Sequence, residues 1–161
     1  MPPETCWMKN TKTDRSSILV LGIGNTGRAD DGLGWKFLDE LSTSPAEDLT
    51  VEYRYQLQIE DSELVSQYQT VFFVDASHTR IQDGYSIMPA TPAAYYHFSS
   101  HAQNPETILY LAKTIYNKCP KAFTVAIAGQ KWGLKQGLSK AASDNLRKAL
   151  DGFHAIITSG A

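Results

Sequence analysis

Two acidic residues, Asp30 and Asp31, lie between Gly27 and the glycine pair Gly32 and Gly34. Acids in the first turn of a helix offset the positive end of the helix dipole, and this structural role accounts well for one of them. Carboxylates also bind divalent cations and act as general acids or bases. The flanking glycines leave room for a ligand to approach closely. The spacing therefore predicts either a helix cap or one wall of an acidic site.

Asp75 directly follows the apolar run 70–74. A charge at the end of a buried strand costs free energy unless it is hydrogen-bonded, paired or bound to a metal. A local turn into residues 76 and 77 is the structural alternative. Because such a strand ends at the edge of the sheet where ligands bind, we interpret Asp75 as a second candidate functional acid.

Four histidines are candidates for a metal ligand or a proton carrier, namely His78, His97, His101 and His154. His154 lies at the end of the last predicted helix and is expected to be packed or on the surface, whereas the other three fall in predicted loops. Spacing by itself does not choose between His97 and His101. Two carboxylates and one imidazole from separate loops would suit a borderline divalent metal with open coordination positions.

The segment Gly22-Ile23-Gly24-Asn25-Thr26-Gly27 matches the G-x-G-x-x-G pattern of dinucleotide sites. That pattern requires a helix to begin at the glycines, so that its first amides face a pyrophosphate. Here residues 28–32, with two carboxylates, intervene before the helix, and Tyr55 and Gln56 stand where a ribose-binding acid is expected. A nucleotide-binding α/β enzyme that uses the Gly22–Gly27 loop is therefore the less favoured alternative.

Apolar runs and helical periodicity alternate along the chain. They predict strands at 17–23, 49–56, 70–75, 84–88 and 121–128, and helices at 33–41, 60–68, 104–117 and 139–153. The fourth strand is expected near an edge because Pro89 follows it. This order predicts an α/β fold, a three-layer α/β/α sandwich around a mostly parallel twisted sheet of about five strands. The candidate acids then fall at the carboxyl ends of strands, where such folds bind ligands.

Composition narrows the class of partner. The 161 residues carry a formal net charge of −2, and no basic cluster interrupts this balance. We therefore expect neither nucleic acid nor an anionic membrane as a partner. Residues 1–16 are polar and lack the apolar segment of a signal peptide, so we expect a flexible leader, a single domain at 17–161 and a cytoplasmic location. A monomer is the expected state.

Several segments together resemble one known family. Ile18-Leu19-Val20-Leu21-Gly22-Ile23-Gly24-Asn25, followed by Arg28-Ala29-Asp30-Asp31-Gly32-Leu33-Gly34, resembles the opening signature of the nickel–iron hydrogenase maturation endopeptidases. Later landmarks follow in family order, namely Val71-Phe72-Phe73-Val74-Asp75-Ala76, Ser100-His101 and Gly137-Leu138-Ser139. The resemblance implies an α/β/α sandwich, in agreement with the predicted elements.

The resemblance also implies a function and its residues. Members of this family remove a C-terminal extension from the hydrogenase large-subunit precursor after nickel has been inserted. The metal ligands and catalytic residues implied for this chain are Asp31, Asp75 and His101, which selects His101 over His97. Arg28 and Asp30 are implied in supporting roles. The implied cofactor is a nickel ion supplied by the precursor, with no organic cofactor.

One segment departs from the family pattern. Many relatives carry an Asp-Gly-Gly-Thr-like loop after the second strand, whereas this chain has Tyr55-Gln56-Leu57-Gln58-Ile59-Glu60-Asp61. This segment resembles the branch that serves NAD-linked bidirectional hydrogenases, so the expected partner is the precursor of such an enzyme. The change also leaves open a further alternative, a non-catalytic chaperone of the metal centre.

Overall fold

A computed structural model of the chain describes residues 17–43, 48–96 and 103–159. In this part of the chain one sheet has the strand order β2-β1-β3-β5-β4. The strands are β1 (Ile18–Ile23), β2 (Leu49–Arg54), β3 (Thr70–Ser77), β4 (Tyr85–Ala90) and β5 (Lys121–Ala128). The helices are α1 (Leu33–Ser42), α2 (Asp61–Val65), α3 (Pro105–Tyr116) and α4 (Lys140–Thr158), with 3₁₀ turns at Ala29–Gly32 and Gln82–Gly84.

The sheet is mostly parallel, as predicted. Strands β2, β1, β3 and β5 pair in parallel, whereas β4 pairs with β5 in the antiparallel sense and forms an edge. Pro89 lies inside β4 rather than after it. An edge strand tolerates proline because one row of its backbone groups has no ladder partner.

Alternate side chains of the strands supply a core on each face of the sheet. Phe72 and Val74 pack with α1 and α4 on one face, and Val71 and Phe73 pack with α3 on the other. This alternation follows from the two-residue period of a strand and confirms the α/β/α sandwich. Among the described residues, no helix combines the length and the apolar composition needed to cross a membrane.

Several predicted boundaries were wrong. Strand β2 ends at Arg54 rather than at residue 56, and β4 continues to Ala90 rather than ending at residue 88. Helix α2 is shorter than predicted, at Asp61–Val65. Helix α4 continues to Thr158 instead of ending near residue 153, because Ile156 and Ile157 extend its apolar stripe onto the core. Strand β3 does not end at Asp75 but continues to Ser77.

Candidate active site

A cavity of about 530 Å³ opens at the carboxyl edge of the sheet. The pairing of β1 with β3 ends at Gly22 and Val74, whereas β3 continues beside β5 to Ser77 and Ala128. Asp75 is therefore the first residue of β3 beyond its pairing with β1. The missing neighbour on that side creates the space into which a ligand can enter, as expected for α/β sheets.

Residues from four strand ends and from the start of α3 line this cavity, which we call the acidic cavity. Among them are Ile23, Gly24, Asp31, Tyr55, Gln56, Leu57, Phe73, Asp75, Ser77, Gln103, Asn104, Pro105, Thr124 and Ala126. Its lining contains two carboxylates and no lysine or arginine among the described residues. Two oxygen ligands without a neighbouring cation suit a divalent metal.

Asp31 reaches the acidic cavity from the 3₁₀ turn between β1 and α1. Its backbone is held on both sides, since its N–H donates to the Arg28 carbonyl at 3.1 Å and its carbonyl accepts from the Asn25 N–H at 3.1 Å. The side chain is half-buried and lines the cavity. The predicted wall of an acidic site is thus formed by Asp31.

The Asp75 carboxyl has an unusual proton affinity. Surrounding protein atoms limit its hydration although it is open to the cavity, and this burial raises its pKa to about 7. The Ala76 N–H, which donates to Asp75 Oδ1 at 2.8 Å, lowers the pKa, whereas the negative charge of Asp31 raises it further. The interaction between the two acids follows from their shared cavity. Like charges in one site oppose double ionisation.

Asp30, next in sequence to Asp31, does not line the acidic cavity. It is fully buried, and its carboxylate accepts hydrogen bonds from the backbone N–H groups of Gln130 (2.7 Å), Lys131 (2.9 Å) and Ser139 (2.7 Å). The Ser139 hydroxyl donates a fourth, at 2.7 Å. Burial by itself would raise the pKa of Asp30, but the hydrogen bonds outweigh it and lower the pKa.

These contacts give Asp30 and Asp31 different roles. Asp30 ties the loop after β5 to the start of α1, and Ser139 also caps α4 by accepting from the Ala142 N–H at 3.2 Å. Asp31 is left as the acid of the pair that lines the acidic cavity. The supporting role expected for Asp30 is therefore a structural clamp, since its carboxylate oxygens are saturated by donors.

The glycine loop is filled by the chain itself. Gly24 has φ +146°, and a Cβ built there would lie 2.0 Å from the Asp31 carbonyl oxygen. The first turn after the loop therefore packs against Gly24 at the place where a pyrophosphate would have to approach. This packing explains the glycine without a nucleotide and argues against the dinucleotide alternative.

The segment that departs from the family pattern is anchored as a closed loop. Asp61 is buried, binds Arg54 Nε at 3.0 Å and accepts from the Gln58 N–H at 2.9 Å. Leu57 is also buried, in the core beside α3, and its carbonyl accepts from the Gln103 N–H at 3.3 Å. Tyr55, which precedes Leu57 by two residues, lines the acidic cavity and is 69% exposed. Buried contacts rather than glycines therefore shape this loop.

The histidines divide between described and undescribed parts of the chain. His101 and His97 lie outside the described residues, so the predicted third ligand has no geometry here. Gln103, two positions after His101, lines the acidic cavity. His78 stacks on Trp132 with 3.6 Å between ring centroids, and His154 lies exposed in α4. Within residues 17–43, 48–96 and 103–159, no group of three metal-binding side chains is assembled.

Sequence reasoning missed the residues that bring distant segments together. Ser139 was predicted as the first residue of the last helix, but its bond to Asp30 joins positions 109 residues apart. Gln103 and Ala126 were not recognised as parts of the cavity wall. The cap at Asn104, which accepts from the Thr107 N–H at 2.8 Å, did locate the start of α3 correctly. No signal in the sequence relates Gln103 to Ala126, because only the packing of α3 on the sheet does so.

Comparisons with known proteins bear on the fold. No family model and no curated protein sequence matches the chain. Among solved structures, the hydrogenase maturating endopeptidase HybD from E. coli superposes with a TM-score of 0.71 at 18% identity, over 89% of this chain and 94% of that one. The [NiFe] hydrogenase maturation protease HycI from Thermococcus kodakarensis gives 0.69 at 17% identity, over 91% and 95%.

A third similar structure is the hydrogenase 2 maturation peptidase from a Thaumarchaeota archaeon, with a TM-score of 0.63 at 19% identity over 88% of this chain and 97% of that one. All three alignments extend over nearly the full length of both partners. At sequence identities this low, the structural similarity establishes a shared fold but not a shared chemistry. The chain therefore has the α/β/α fold of the structures solved for hydrogenase maturation proteases.

Proposed function

We propose that this chain is a processing endopeptidase that removes the C-terminal extension of a nickel–iron hydrogenase large-subunit precursor after nickel insertion. The observation that carries the proposal is the acidic cavity, which Asp31 lines from the turn after β1 and Asp75 from the end of β3. The shared fold with hydrogenase maturation proteases and the resemblance of the motifs support the same function.

The nickel ion belongs to the substrate in this proposal. Asp31 and Asp75 would contact it with carboxylate oxygens, and His101 would supply an imidazole ligand. The position of Gln103 in the cavity wall supports the assignment of His101, since only one residue separates them in sequence. A cavity completed by the metal of the precursor would bind the loaded precursor in preference to the empty one, which makes cleavage depend on prior assembly.

Cleavage requires a group that can move a proton near neutral pH. Hydrolysis adds the hydroxyl of water to the scissile carbonyl carbon, breaks the C–N bond and gives the leaving amine a proton. A carboxylate of the acidic cavity that is not bound to the metal, Asp75 or Asp31, can accept that proton from water and return it to the amine. The nickel ion, when bound, would polarise the carbonyl as a Lewis acid.

The partner and the setting of the reaction are parts of the same proposal. The segment from Tyr55 to Asp61 resembles the branch that serves NAD-linked bidirectional hydrogenases, so we assign the precursor of such an enzyme as the substrate. The proposed enzyme acts in the cytoplasm as a monomer, with residues 17–161 as its single domain.

A processing assay tests the function. The purified chain is incubated with nickel-loaded and with nickel-free precursor, and the C-terminus of the precursor is read by intact mass. We expect trimming of the loaded precursor alone. The variants Asp31→Asn, Asp75→Asn and His101→Ala should lose trimming by at least about 100-fold, because each removes a proposed metal ligand or proton carrier.

A matched control guards against a general effect of charge. Asp151 is exposed in α4 and lies outside the acidic cavity, so Asp151→Asn should trim the precursor like the unchanged protein. Binding of the loaded precursor without trimming would favour a non-catalytic chaperone of the metal centre. That alternative follows from the loop after β2, which departs from the family pattern and is anchored by buried Leu57. Absence of precursor binding, with a thermal shift on adding NAD or ATP, would favour the nucleotide alternative.

A further inference from the structure

A second cavity, of about 650 Å³, opens at the same carboxyl edge of the sheet, on the α4 side rather than on the α3 side. His78, Arg80, Ala128, Asn145 and Lys148 contribute to its lining. Two features hold its wall in place. Asn145 Nδ2 donates to the Ala128 carbonyl at 2.9 Å, and Trp132 stacks on His78 with their ring planes inclined by 17°.

Neighbouring residues at the ends of β3 and β5 line the two cavities. Asp75 and Ser77 line the acidic cavity, and His78, the next residue, lines the second one. On β5, Ala126 lines the first and Ala128 the second. Two residues of strand correspond to about 7 Å. Because side chains alternate between the two faces of a strand, the acidic cavity lies on the α3 side of the sheet and the second cavity on the α4 side. An extended peptide that reaches both cavities therefore crosses the carboxyl ends of β3 and β5.

The cavities differ in the sign of their charge. Among the described residues, Asp31 and Asp75 give the acidic cavity two carboxylates and no lysine or arginine. The second cavity has two permanent cations, Arg80 and Lys148, against one carboxylate, Asp83, an excess of one positive charge. We call it the basic cavity. Opposite potentials at one edge of the sheet favour a ligand with a cationic part and an anionic part in a fixed order.

We propose that the basic cavity binds a carboxylate of the C-terminal extension, on the leaving side of the scissile bond. This inference rests on the proposed function, in which the acidic cavity receives the nickel-bearing part of the precursor. The peptide beyond the scissile bond then runs toward Arg80 and Lys148, which attract a carboxylate. The carboxylate is either the chain terminus or an acidic side chain of the extension. The basic cavity thereby orients the precursor across the ends of β3 and β5.

Charge reversal at Lys148 tests the proposal. Lys148→Glu should raise the KM for nickel-loaded precursor by about 10-fold and leave kcat within about 2-fold, because the contact positions the substrate and takes no part in the chemistry. The matched control is Arg147→Glu, which makes the same charge change at the neighbouring exposed position, outside the cavity lining. The control should keep the original KM. The difference between the two variants should shrink as salt is added.

Two modified precursors identify the source of the carboxylate. One ends in a C-terminal amide, and the other carries Asn and Gln in place of Asp and Glu in the extension. The precursor that lacks the bound carboxylate should show the raised KM with the unchanged protein and no further rise with Lys148→Glu. The proposal is overturned if Arg147→Glu and Lys148→Glu raise KM equally, if neither does, or if both modified precursors behave like the original.

A binding measurement separates this proposal from the proposed function. A synthetic peptide with the sequence of the extension, labelled at its amino end, is titrated with each protein and followed by fluorescence anisotropy. Suppose that no precursor is trimmed but that peptide binding depends on Lys148 and not on Arg147. The proposal that the basic cavity binds the extension is then supported, and the proposed endopeptidase function is wrong. If trimming is normal and peptide binding ignores Lys148, the function stands and this inference is wrong.

Discussion

The adjacent aspartates Asp30 and Asp31, just before α1, have different roles. Asp30 is buried and accepts four hydrogen bonds, whereas Asp31 is half-buried and lines the acidic cavity. Their different surroundings follow from the direction of each side chain in the 3₁₀ turn. A carboxylate whose oxygens are saturated by backbone donors stabilises the fold, and one that faces an open cavity is available to a ligand.

Asp30→Asn should destabilise the protein by about 2–4 kcal/mol, because an amide nitrogen would replace an acceptor oxygen and leave buried N–H donors unpaired. Denaturation in urea measures the loss. Asp31→Asn is the matched control and should change the free energy of unfolding by less than about 1 kcal/mol. Equal losses in the two variants would contradict the division of roles.

The element that positions Asp31 is the connection from β1 to α1. Gly24 approaches the Asp31 carbonyl so closely that a methyl group has no space, and its φ of +146° disfavours other residues. The glycine pattern that resembles a dinucleotide motif is therefore required by the packing of the chain on itself.

Gly24→Ala should destabilise the protein by about 2–4 kcal/mol, since both the backbone conformation and the contact with Asp31 become strained. Gly133→Ala provides the control, because a Cβ at Gly133 has no atom within 4 Å. Thermal unfolding of both variants checks the prediction. A Gly24→Ala protein that melts like the Gly133→Ala protein would show that the close approach is absent in solution.

The loop after β2 is a second element that shapes the acidic cavity. Leu57→Ala should cost about 2–4 kcal/mol, because it removes a side chain that is 2% exposed and leaves a void beside α3. Leu134, which is 84% exposed, supplies the control, and Leu134→Ala should have little effect. Chemical denaturation compares the two, and similar midpoints would mean that Leu57 does not anchor the loop.

At the scale of the whole molecule, Asp75 and Asp30 give the stability opposite dependences on pH. The raised pKa of Asp75 means that the folded state binds more protons than the unfolded state between about pH 4 and 7. Its contribution is therefore present below about pH 4 and is lost as the pH rises through about 7. The lowered pKa of Asp30 gives a contribution that is lost as the pH falls below about 4.

Asp75→Asn should therefore remove a decline in stability toward alkaline pH. In metal-free buffer, the Tm of the variant relative to the unchanged protein should be about 2–4 °C higher at pH 8 than at pH 4, a modest shift because solvent in the cavity screens the charge. Differential scanning calorimetry at several pH values measures it. Asp151→Asn, on the exposed surface of α4, should track the unchanged protein, and parallel curves for both variants would refute the raised pKa.

Much of the architecture could be predicted from local pattern. The apolar runs of β1 and β3 identify strands buried on both faces, and the caps at Asn104 and Ser139 place the starts of α3 and α4. These features depend on neighbours within a few residues, which the sequence displays directly. The ends of β3 and α4 could not be predicted in this way, because β5 and the core determine where they stop.

Local patterns predicted the α/β/α class and indicated the pair Asp30 and Asp31 together with Asp75 as candidate functional acids, because strand periodicity and strand ends are local properties; the family resemblance selected Asp31 from the pair. Packing of the helices on the sheet places Asp31 and Asp75 in one cavity, makes Asp30 a clamp and forms the basic cavity at the same sheet edge, on the α4 side. Burial, proton affinity and the bond from Asp30 to Ser139 arise between segments far apart in the chain. Their geometry exists only after the helices pack on the sheet.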